Sequence, residues 1–403
     1  MPIQQEIGHT KGRPPLKVAL ISTFGPNSRG ISPYSDGLAE ELEKNEHIQL
    51  HKIDYKKIFP DLLYPTSGKL EADNPYALIH YAKPNTWKQV FDCQPELVHL
   101  QYWTPFTAIV LLNIIKTAQQ KNIPTVLTVH NTSAHESLPL FSTLEKKLYS
   151  HASRIICHTQ EGADSLKKNH PQFHEKISVI PHGVWIKNRS HALPADQSDY
   201  QLTKLSTDKK YILYFGNIRH YKGVDLLLTA WESISKHHPD TELIIAGRTW
   251  EGSNILSSAV GKLLGNAKTA QWIRDKQQHP LQTVYKLGFI EDQVLDSLLK
   301  ISALAIFPYR KFDAQSGAAS RAASIGTPIV VTNKGGLPDL CIDQSYICET
   351  LDPKDLASII HEKLKSSKPE DREQQIARVL ELNWNNISKK HTELYLQLAN
   401  PKD

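Results

Sequence analysis

The stretch YILYFGNIRHYKGVDLLLTAW, residues 211–231, decides the fold. It opens with an uninterrupted apolar run that breaks at Gly216, and such a run is typical of a strand buried on both faces of a sheet. After a short polar turn, the apolar residues take the spacing of an amphipathic helix. A buried strand that leads directly into a helix is the repeating unit of a parallel α/β sheet.

The same alternation of strand and helix continues along the chain on both sides of this stretch. Strand-like runs are predicted at Lys17–Thr23, Leu97–Tyr102, Thr125–His130, Arg154–His158, Ile177–Pro181, Tyr211–Gly216, Glu242–Gly247, Val284–Ile290, Ala303–Pro308 and Pro328–Thr332. Between residues 187 and 210 the pattern lapses into a polar tract. We therefore predict an α/β protein with two doubly wound, Rossmann-like domains, with ligands at the carboxyl ends of the strands and one cleft between facing sheets. The predicted organisation is a polar extension (1–14), a first domain (15–190), a linker (191–210) and a second domain (211–383).

Length and composition restrict the class of protein. The 403 residues are too many for one core, and 40% hydrophobic with 22% charged residues are typical of packed, water-soluble domains. The formal charge of +5 is too dilute for nucleic-acid binding, although it suits an anionic ligand or a passing contact with an anionic membrane. The four cysteines show no C-x-x-C spacing, Met1–Pro15 lacks the apolar stretch typical of a signal peptide, and the longest apolar run, around Phe106–Ile115, is too short to span a bilayer. We expect a cytoplasmic protein, with peripheral contact at the inner face of the membrane as an option.

The turn after residues 211–215 carries two cations. Arg219 and Lys222 follow Gly216 just before the next helix, where they could clamp a diphosphate. The alternative interpretation is a solvated basic loop.

A second turn, within ALAIFPYRKFDAQSGAASRAASIGTPIVVTNKGG (303–336), leads into a helix of small residues. Ser316 is a plausible N-cap, and the free N–H groups at Gly317 and Ala318 would favour a phosphate. Asp313 is the carboxylate of this turn. Tight packing of helix on sheet would also explain the small residues.

The first half of the chain offers weaker candidates. Gly30 lies in a polar turn between a strand and a helix, which either binds an anion or is an ordinary loop. His130 ends a buried strand and is followed by a polar cluster, Asn131, His135 and Glu136, at the edge of the predicted cleft.

Several blocks together resemble a known family. They are TVHN (128–131), IICHTQEGADSL (155–166), VIPHG (179–183), FGNIRHYKG (215–223), LIIAGR (243–248), LGFI (287–290) and PYRKFDAQSGAASRAASIGTPIVVTNKGGLPDL (308–340). In this order they resemble the GT-B-fold, family 4 group of retaining nucleotide-sugar glycosyltransferases. The resemblance implies metal-independent sugar transfer, with the acceptor on the N-terminal domain and the donor on the C-terminal one. It also implies that the last helix, 384–403, crosses back to the first domain.

The resemblance also assigns residues to the catalytic site. It puts Arg219 and Lys222 on the donor diphosphate, Gly30 against the same phosphates and His130 near the hydroxyls of the donor sugar. Asn217 stands where the family has an arginine, so we expect Arg219 to supply the guanidinium.

Two positions depart from the family's Glu-x7-Glu signature. Asp313 falls on the first glutamate, which faces the sugar, and Arg321 on the second, which usually holds the ribose. A guanidinium cannot accept a hydrogen bond from a ribose hydroxyl. The turn Gln315-Ser316-Gly317 is similar to that of members which lack the second acid. The remaining donor-side candidates are Gly216, Gly247, Phe289 and Ile290, and the acceptor-side candidates are Asn131, His135 and Glu136.

The predicted function is therefore transfer of a sugar from a nucleoside diphosphate sugar to a glycan, lipid-linked or other acceptor, as in polysaccharide biosynthesis, with no cofactor and no metal. Two alternatives stay open. Asn217, Asp313 and Arg321 would also suit a catalytically idle partner that binds a nucleotide sugar or glycan. A nucleotide-sugar epimerase would need acid–base carboxylates in the N-terminal half, where Glu136 is the candidate.

Overall fold

The computed structural model describes residues 14–25, 31–58, 74–130, 139–186, 205–206, 208–249, 266–278, 280–312 and 315–400. These residues divide into two compact units. The first unit takes its residues from Met1–Cys157, Ala163–Gly183 and Trp384–Asp403, and the second from His158–Gly162 and Val184–Asn383. The predicted linker, 191–210, lies largely outside the described residues.

A parallel sheet of seven strands forms the centre of the first unit. Its strands are β1 (Leu16–Ile21), β2 (Ile48–Lys57), β3 (Ala77–His80), β4 (Leu97–Tyr102), β5 (Thr125–Val129), β6 (Arg154–Cys157) and β7 (Ile177–Val179). Their order is β3-β2-β1-β4-β5-β6-β7, and every pair is parallel. The helices of this stretch are α1 (Ser32–Glu43), α2 (Pro84–Lys88), α3 (Ala108–Gln120), α4 (Pro139–His151) and α5 (Gln160–Asn169).

The second unit contains a six-stranded parallel sheet. Its strands are β8 (Lys210–Phe215), β9 (Thr241–Gly247), β10 (Thr283–Leu287), β11 (Ser302–Phe307), β12 (Ile329–Thr332) and β13 (Ile347–Cys348), in the order β10-β9-β8-β11-β12-β13. Its helices are α6 (Val224–Ile234), α7 (Asn266–Gln277), α8 (Asp292–Ile301), α9 (Gly317–Ile325), α10 (Pro353–Ser366) and α11 (Glu370–Leu380). In both sheets the order reverses direction beside the first strand, where doubly wound folds bind ligands.

The central strands are buried on both faces. In β1, Val18 and Leu20 belong to one core cluster while Ala19 and Ile21 belong to another, because alternate side chains of a strand point to opposite faces. All four are fully buried. This double burial explains why the strands read as continuous apolar runs.

The last helix, α12 (Trp384–Ala399), belongs to the first unit. Trp384 packs so closely against Gly37 and Gly183 that a Cβ atom on either glycine would lie 2.2–2.3 Å from the indole ring. Ile387 and Tyr395 of α12 are fully buried in the same core cluster. The core of the first unit is therefore completed by residues that follow the second unit in sequence.

The predicted fold class, two doubly wound parallel sheets, is confirmed. Three strands were missed, β2, β3 and β13. In β2 the sequence IQLHKIDYKK mixes charged with apolar residues, because several of its side chains are partly exposed. β3 and β13 are only four and two residues long. Within the part of the chain that the structure describes, no helix combines the length and apolar character needed to cross a bilayer.

Candidate active site

The ends of β8 and β9 come together through two glycines. Gly216 has a φ of +112° and Gly247 a φ of +146°, a backbone region that favours glycine. A Cβ atom at Gly247 would lie 1.9 Å from the carbonyl oxygen of Gly216. Glycine at these positions therefore lets the ends of two neighbouring strands approach each other.

A pocket of about 410 Å³ opens at this edge of the sheet. The predicted donor-side residues that line it are Gly216, Asn217, Gly247, Phe289, Ile290, Gly317, Ala318 and Arg321. The lining residues that the sequence analysis missed are Phe215, Arg248, Gly288 and Leu295. The carboxyl ends of three strands and the start of α9 thus meet in one cavity, whose volume is typical of a small-molecule site.

The first turn of α9 presents backbone N–H groups to this pocket. Ser316 is the N-cap, and its Oγ accepts a hydrogen bond from the amide of Ala319 at 3.3 Å. The hydroxyl oxygen of Tyr309 lies 3.0 Å from Oγ of Ser316 and forms a hydrogen bond with it. Gln315 and Ser316 are buried just before the helix, whereas Gly317 is exposed and a Cβ atom there would meet nothing within 4 Å. The helix therefore begins with an open, partly positive end.

Lys222 lies beside the turn that follows β8. Its Nζ is 5.3 Å from the ring centroid of Tyr309 and 3.5 Å from the position a Cβ atom would take on Gly216. Burial lowers the pKa of Lys222, the nearby Tyr221 raises it and the charge of Arg219 lowers it further. Among described residues, Lys222 makes no ion pair. An ammonium group that has no counter-charge among the described residues thus lies close to Gly216, which lines the pocket.

Contacts with Pro308 and Arg310 hold the loop that carries Lys222 in place. Gly223 ends it with a φ of +66°, and a Cβ atom there would lie 1.9 Å from the carbonyl oxygen of Pro308. Arg310 donates two hydrogen bonds of 2.7 Å to the carboxylate of Asp225, in the first turn of α6. Its backbone N–H also donates to the carbonyl of Tyr221 at 2.7 Å. The two loops that flank the pocket are therefore joined.

Arg321, the residue at the second glutamate position, is held by two carboxylates of α8. Its Nε and Nη2 donate to Oδ1 of Asp296 at 2.8 and 2.6 Å, and its Nη1 donates to Asp292. The guanidinium charge is balanced in this arrangement. The guanidinium of Arg321 is therefore bound mainly by these two carboxylates of α8.

His130 lies in the first unit, directly after β5. It is 8% exposed, and its Nε2 donates to Oε1 of Gln101 on β4 at 2.8 Å. The ring meets that of Tyr34 edge to face, with centroids 4.8 Å apart. The other predicted residues of this half, Gly30, Asn131, His135 and Glu136, lie outside the described residues, as does Asp313 in the second half.

The buried histidines of the first unit predict a stability that depends on pH. Burial lowers the pKa of His391 to about 4, whereas an unfolded histidine titrates near about 6.5. As the pH falls through this window the unfolded chain binds a proton that the folded chain excludes, so the free energy of unfolding decreases. Between pH 6.5 and 5 this one group should cost about 2 kcal/mol.

Urea unfolding of the wild type and a His391→Gln variant at pH 7.5 and pH 5 measures this effect. The wild type should lose more stability than the variant over this range. His182, whose pKa burial also lowers to about 4, adds to the loss in both proteins. Equal losses in the two proteins would contradict the assignment to His391.

Comparisons with known proteins agree with this geometry. Residues 198–379 match the family described as glycosyl transferases group 1, and residues 30–187 match glycosyltransferase family 4. A glycogen synthase of Mycobacterium tuberculosis is 24% identical over 315 residues, which cover 75% of this chain and 69% of the synthase.

Solved structures show the same fold. Sucrose-phosphate synthase from Thermosynechococcus elongatus is 19% identical, with a TM-score of 0.67 over 95% of this chain and 99% of that one. Anabaena Alr3699/HepE in complex with UDP-glucose is 14% identical, with a TM-score of 0.64 over 95% of this chain and 100% of that one. The fold, the pocket and these matches define the chain as a glycosyltransferase with the GT-B fold. The second part of the chain matches the group 1 model and the first part the family 4 model, each over less than half of its length.

Proposed function

We propose that this enzyme transfers a sugar from a nucleoside diphosphate sugar to a glycan or lipid-linked acceptor, without a metal ion and with retention of the anomeric configuration. The observation that carries the proposal is the meeting of Gly216, Lys222 and Ala318. A Cβ atom on Gly216 would lie 3.5 Å from Nζ of Lys222 and 3.9 Å from Cβ of Ala318. A cation that makes no ion pair with the described residues and the start of a helix thus converge on one glycine, an arrangement that suits a pyrophosphate.

The chemistry requires positive charge at this point. Cleavage of the bond between sugar and phosphate leaves negative charge on the nucleoside diphosphate and an oxocarbenium-like sugar. Groups fixed where this charge develops bind the transition state more tightly than the ground state. The ammonium of Lys222 and the amides at Gly317 and Ala318 are already in place, because Ser316, Tyr309 and the joined loops hold them.

Two arginines are proposed as further ligands of the pyrophosphate. The sequence analysis assigned this role to Arg219, whose charge acts on Lys222. Arg248 directly follows Gly247 and lines the pocket, and its carbonyl accepts a hydrogen bond of 2.8 Å from the amide of Ile218. Since Asn217 carries no charge, we propose that Arg248 supplies the guanidinium on the pocket side. For His130 we propose the role that the resemblance implies, near the hydroxyls of the donor sugar.

The donor is proposed to be a nucleotide sugar because of the pocket and the relatives. Alr3699/HepE is described in complex with UDP-glucose. The pocket here combines backbone glycines with the apolar side chains of Phe289 and Ile290, and Phe289 is 77% exposed. An exposed aromatic ring beside a phosphate-binding turn suits a nucleobase.

A second candidate function is supported by Arg321. Because its guanidinium is engaged by Asp292 and Asp296 and cannot accept hydrogen bonds, the pocket wall lacks the acceptor that the family places there. A protein that binds a nucleotide sugar or glycan without turnover would tolerate this change.

Ligand-observed NMR against UDP, GDP, ADP and their common sugar conjugates tests the proposal. We expect one nucleotide diphosphate and its sugar conjugate to bind, and the Arg248→Ala variant to bind them more weakly. Steady release of the nucleotide from that conjugate, with an acceptor present, distinguishes the enzyme from the idle binder. NMR of the product should show an unchanged anomeric configuration, whereas an inverted product would contradict retention.

Activity is expected to survive removal of divalent metals. Lys222, Arg219, Arg248 and the start of α9 provide the positive charge that a metal supplies in other sugar transferases. Turnover measured before and after treatment with EDTA should agree within error. A rate that collapses in EDTA and recovers with Mg²⁺ or Mn²⁺ would contradict this prediction.

A further inference from the structure

The pocket of the second unit has two chemically different ends. Gly216, Gly317 and Ala318 line the end proposed for the pyrophosphate, next to Lys222. Phe289 lines the other end, because it follows β10, which is separated from β8 by β9. Neighbouring strands are about 4.8 Å apart, so the carboxyl ends of β8 and β10 are about 10 Å apart. In a nucleotide that extends from one end to the other, the ribose lies between them.

A contact between Arg321 and Asp292 bridges the two ends. Arg321 follows Ala318 by three residues, so it lies on the same face of α9, about one turn further along the helix. Its guanidinium reaches the start of α8, where Nη1 donates to the carboxylate of Asp292 and Nη2 donates to the backbone carbonyl of the same residue at 2.8 Å. Asp292 follows Ile290, which lines the pocket, by two residues. The contact therefore joins the two walls between which the ribose would lie.

The two carboxylates that hold Arg321 differ in exposure. Oδ1 of Asp296 accepts from Nε and Nη2 of Arg321 at 2.8 and 2.6 Å, and the Asp296 side chain is 22% exposed. The Asp292 side chain is 82% exposed, and of its two carboxylate oxygens Oδ1 receives the guanidinium. Asp296 therefore anchors the cation, whereas Asp292 presents a carboxylate that a ligand can reach.

A ribose requires acceptors for the hydrogens of its hydroxyl groups. Arg321 cannot provide one, because a guanidinium has donors only. An ionised carboxylate accepts through both oxygens, and its charge strengthens hydrogen bonds from hydroxyl groups. Asp292 is the first residue of α8, where the helix dipole favours a negative charge. The pair thus places a fixed, charged acceptor beside the cation.

We propose that Asp292 recognises the ribose of the donor, with its carboxylate accepting a hydrogen bond from the 2′- or 3′-hydroxyl, and that Arg321 is a positioning residue which holds this carboxylate. The inference rests on the proposed function, since it requires a nucleotide in the pocket. The site then distinguishes ribonucleotides from deoxyribonucleotides. An acceptor that position 321 does not provide is supplied by the neighbouring helix.

Isothermal titration calorimetry with UDP, GDP and ADP, and with the 2′-deoxy and 3′-deoxy form of each, tests the assignment. The ribonucleotide that binds the wild type should bind about 10-fold more tightly than at least one of its deoxy forms, the typical effect of one hydrogen bond to a charged group. In Asp292→Ala the two affinities should become equal within error. Their ratio is the readout, because the nucleotides carry the same charge and a general change in the pocket affects both.

Glu291→Ala is the matched control. Glu291 is the exposed acidic residue directly before Asp292, and its side chain makes no capping hydrogen bond at the start of α8. Its removal changes the net charge as Asp292→Ala does, but it should leave the ratio at about 10. Arg321→Ala should lower the ratio, because Asp292 is then no longer held. The double variant should have the same ratio as Asp292→Ala, since both substitutions act through one contact.

Three results would overturn the inference and leave the proposed function in place: a wild type that binds a ribonucleotide and its deoxy forms equally, a folded Asp292→Ala that keeps the preference, or a Glu291→Ala that loses it. If Asp292→Ala does not fold, Arg321→Ala decides, because an unchanged preference in that variant rejects the assignment and a lost preference supports it. If the wild type binds none of the three ribonucleotides, the proposed function fails and the inference fails with it.

Discussion

Replacement of Lys222 with alanine is expected to lower kcat about 100- to 1000-fold, the typical loss when one fixed donor to a developing negative charge is removed. The ammonium lies against Gly216 without an ionic partner in the described chain, so it would be available to the pyrophosphate of the proposed donor. Since no ion pair among described residues depends on it, its removal should change the melting temperature little. Initial rates of nucleotide release and thermal unfolding of the same preparations measure the two effects.

Lys236→Ala is the matched control for this prediction. Lys236 is an exposed lysine of the same unit, in the turn after α6, and its removal should affect neither the rate nor the melting temperature. If the melting temperature of Lys222→Ala fell in step with the rate, Lys222 would be a structural residue. A normal rate in this variant would remove Lys222 from the mechanism.

Gly247→Ala should be the most destabilising single substitution at the pocket, with a loss of about 3–5 kcal/mol in the free energy of unfolding. Its Cβ atom would lie 1.9 Å from the carbonyl oxygen of Gly216, and its φ of +146° is unfavourable for alanine. Backbone atoms cannot rotate out of the way as a side chain can. Relief of this clash would require β8 and β9 to move apart at the pocket.

Gly288→Ala separates the clash from the backbone strain. Gly288 has a φ of +127°, but a Cβ atom there would meet nothing within 4 Å, so only the strain of about 1–3 kcal/mol remains. Urea unfolding followed by a probe in the second unit compares the two variants. Equal losses would show that the approach of Gly247 to Gly216 contributes nothing.

The sequence predicted the strands best where burial is complete. All six residues of β4 are buried, and its predicted and observed bounds agree at Leu97–Tyr102. The interior of β2 has partly exposed positions that carry charged residues. Because these residues interrupt the apolar run, the strand was not predicted. Local pattern therefore predicts the strands that form continuous apolar runs and misses β2, which carries charged residues, and the very short β3 and β13.

Apart from Arg321, in the second turn of α9, the predicted pocket residues lie just after the carboxyl end of a strand or at the start of a helix. Arg248 was missed although it belongs to the quoted block LIIAGR. The sequence analysis had already assigned the guanidinium that contacts the diphosphate to Arg219, on the neighbouring loop. The partners of Arg321, Asp292 and Asp296, are 29 and 25 residues away. The hydrogen bond between Tyr395 and His99 joins residues 296 positions apart. Such contacts depend on tertiary packing, for which a single sequence gives no local signal.

The position of Trp384 has a consequence for synthesis of the protein on the ribosome. Gly37 and Gly183 emerge early, whereas the indole that packs against them is translated only after residues 184–383. The apolar surface that Trp384 covers in the folded first unit therefore stays exposed while the second unit is synthesised. The first unit can therefore complete its core only after the whole of the second unit has been translated.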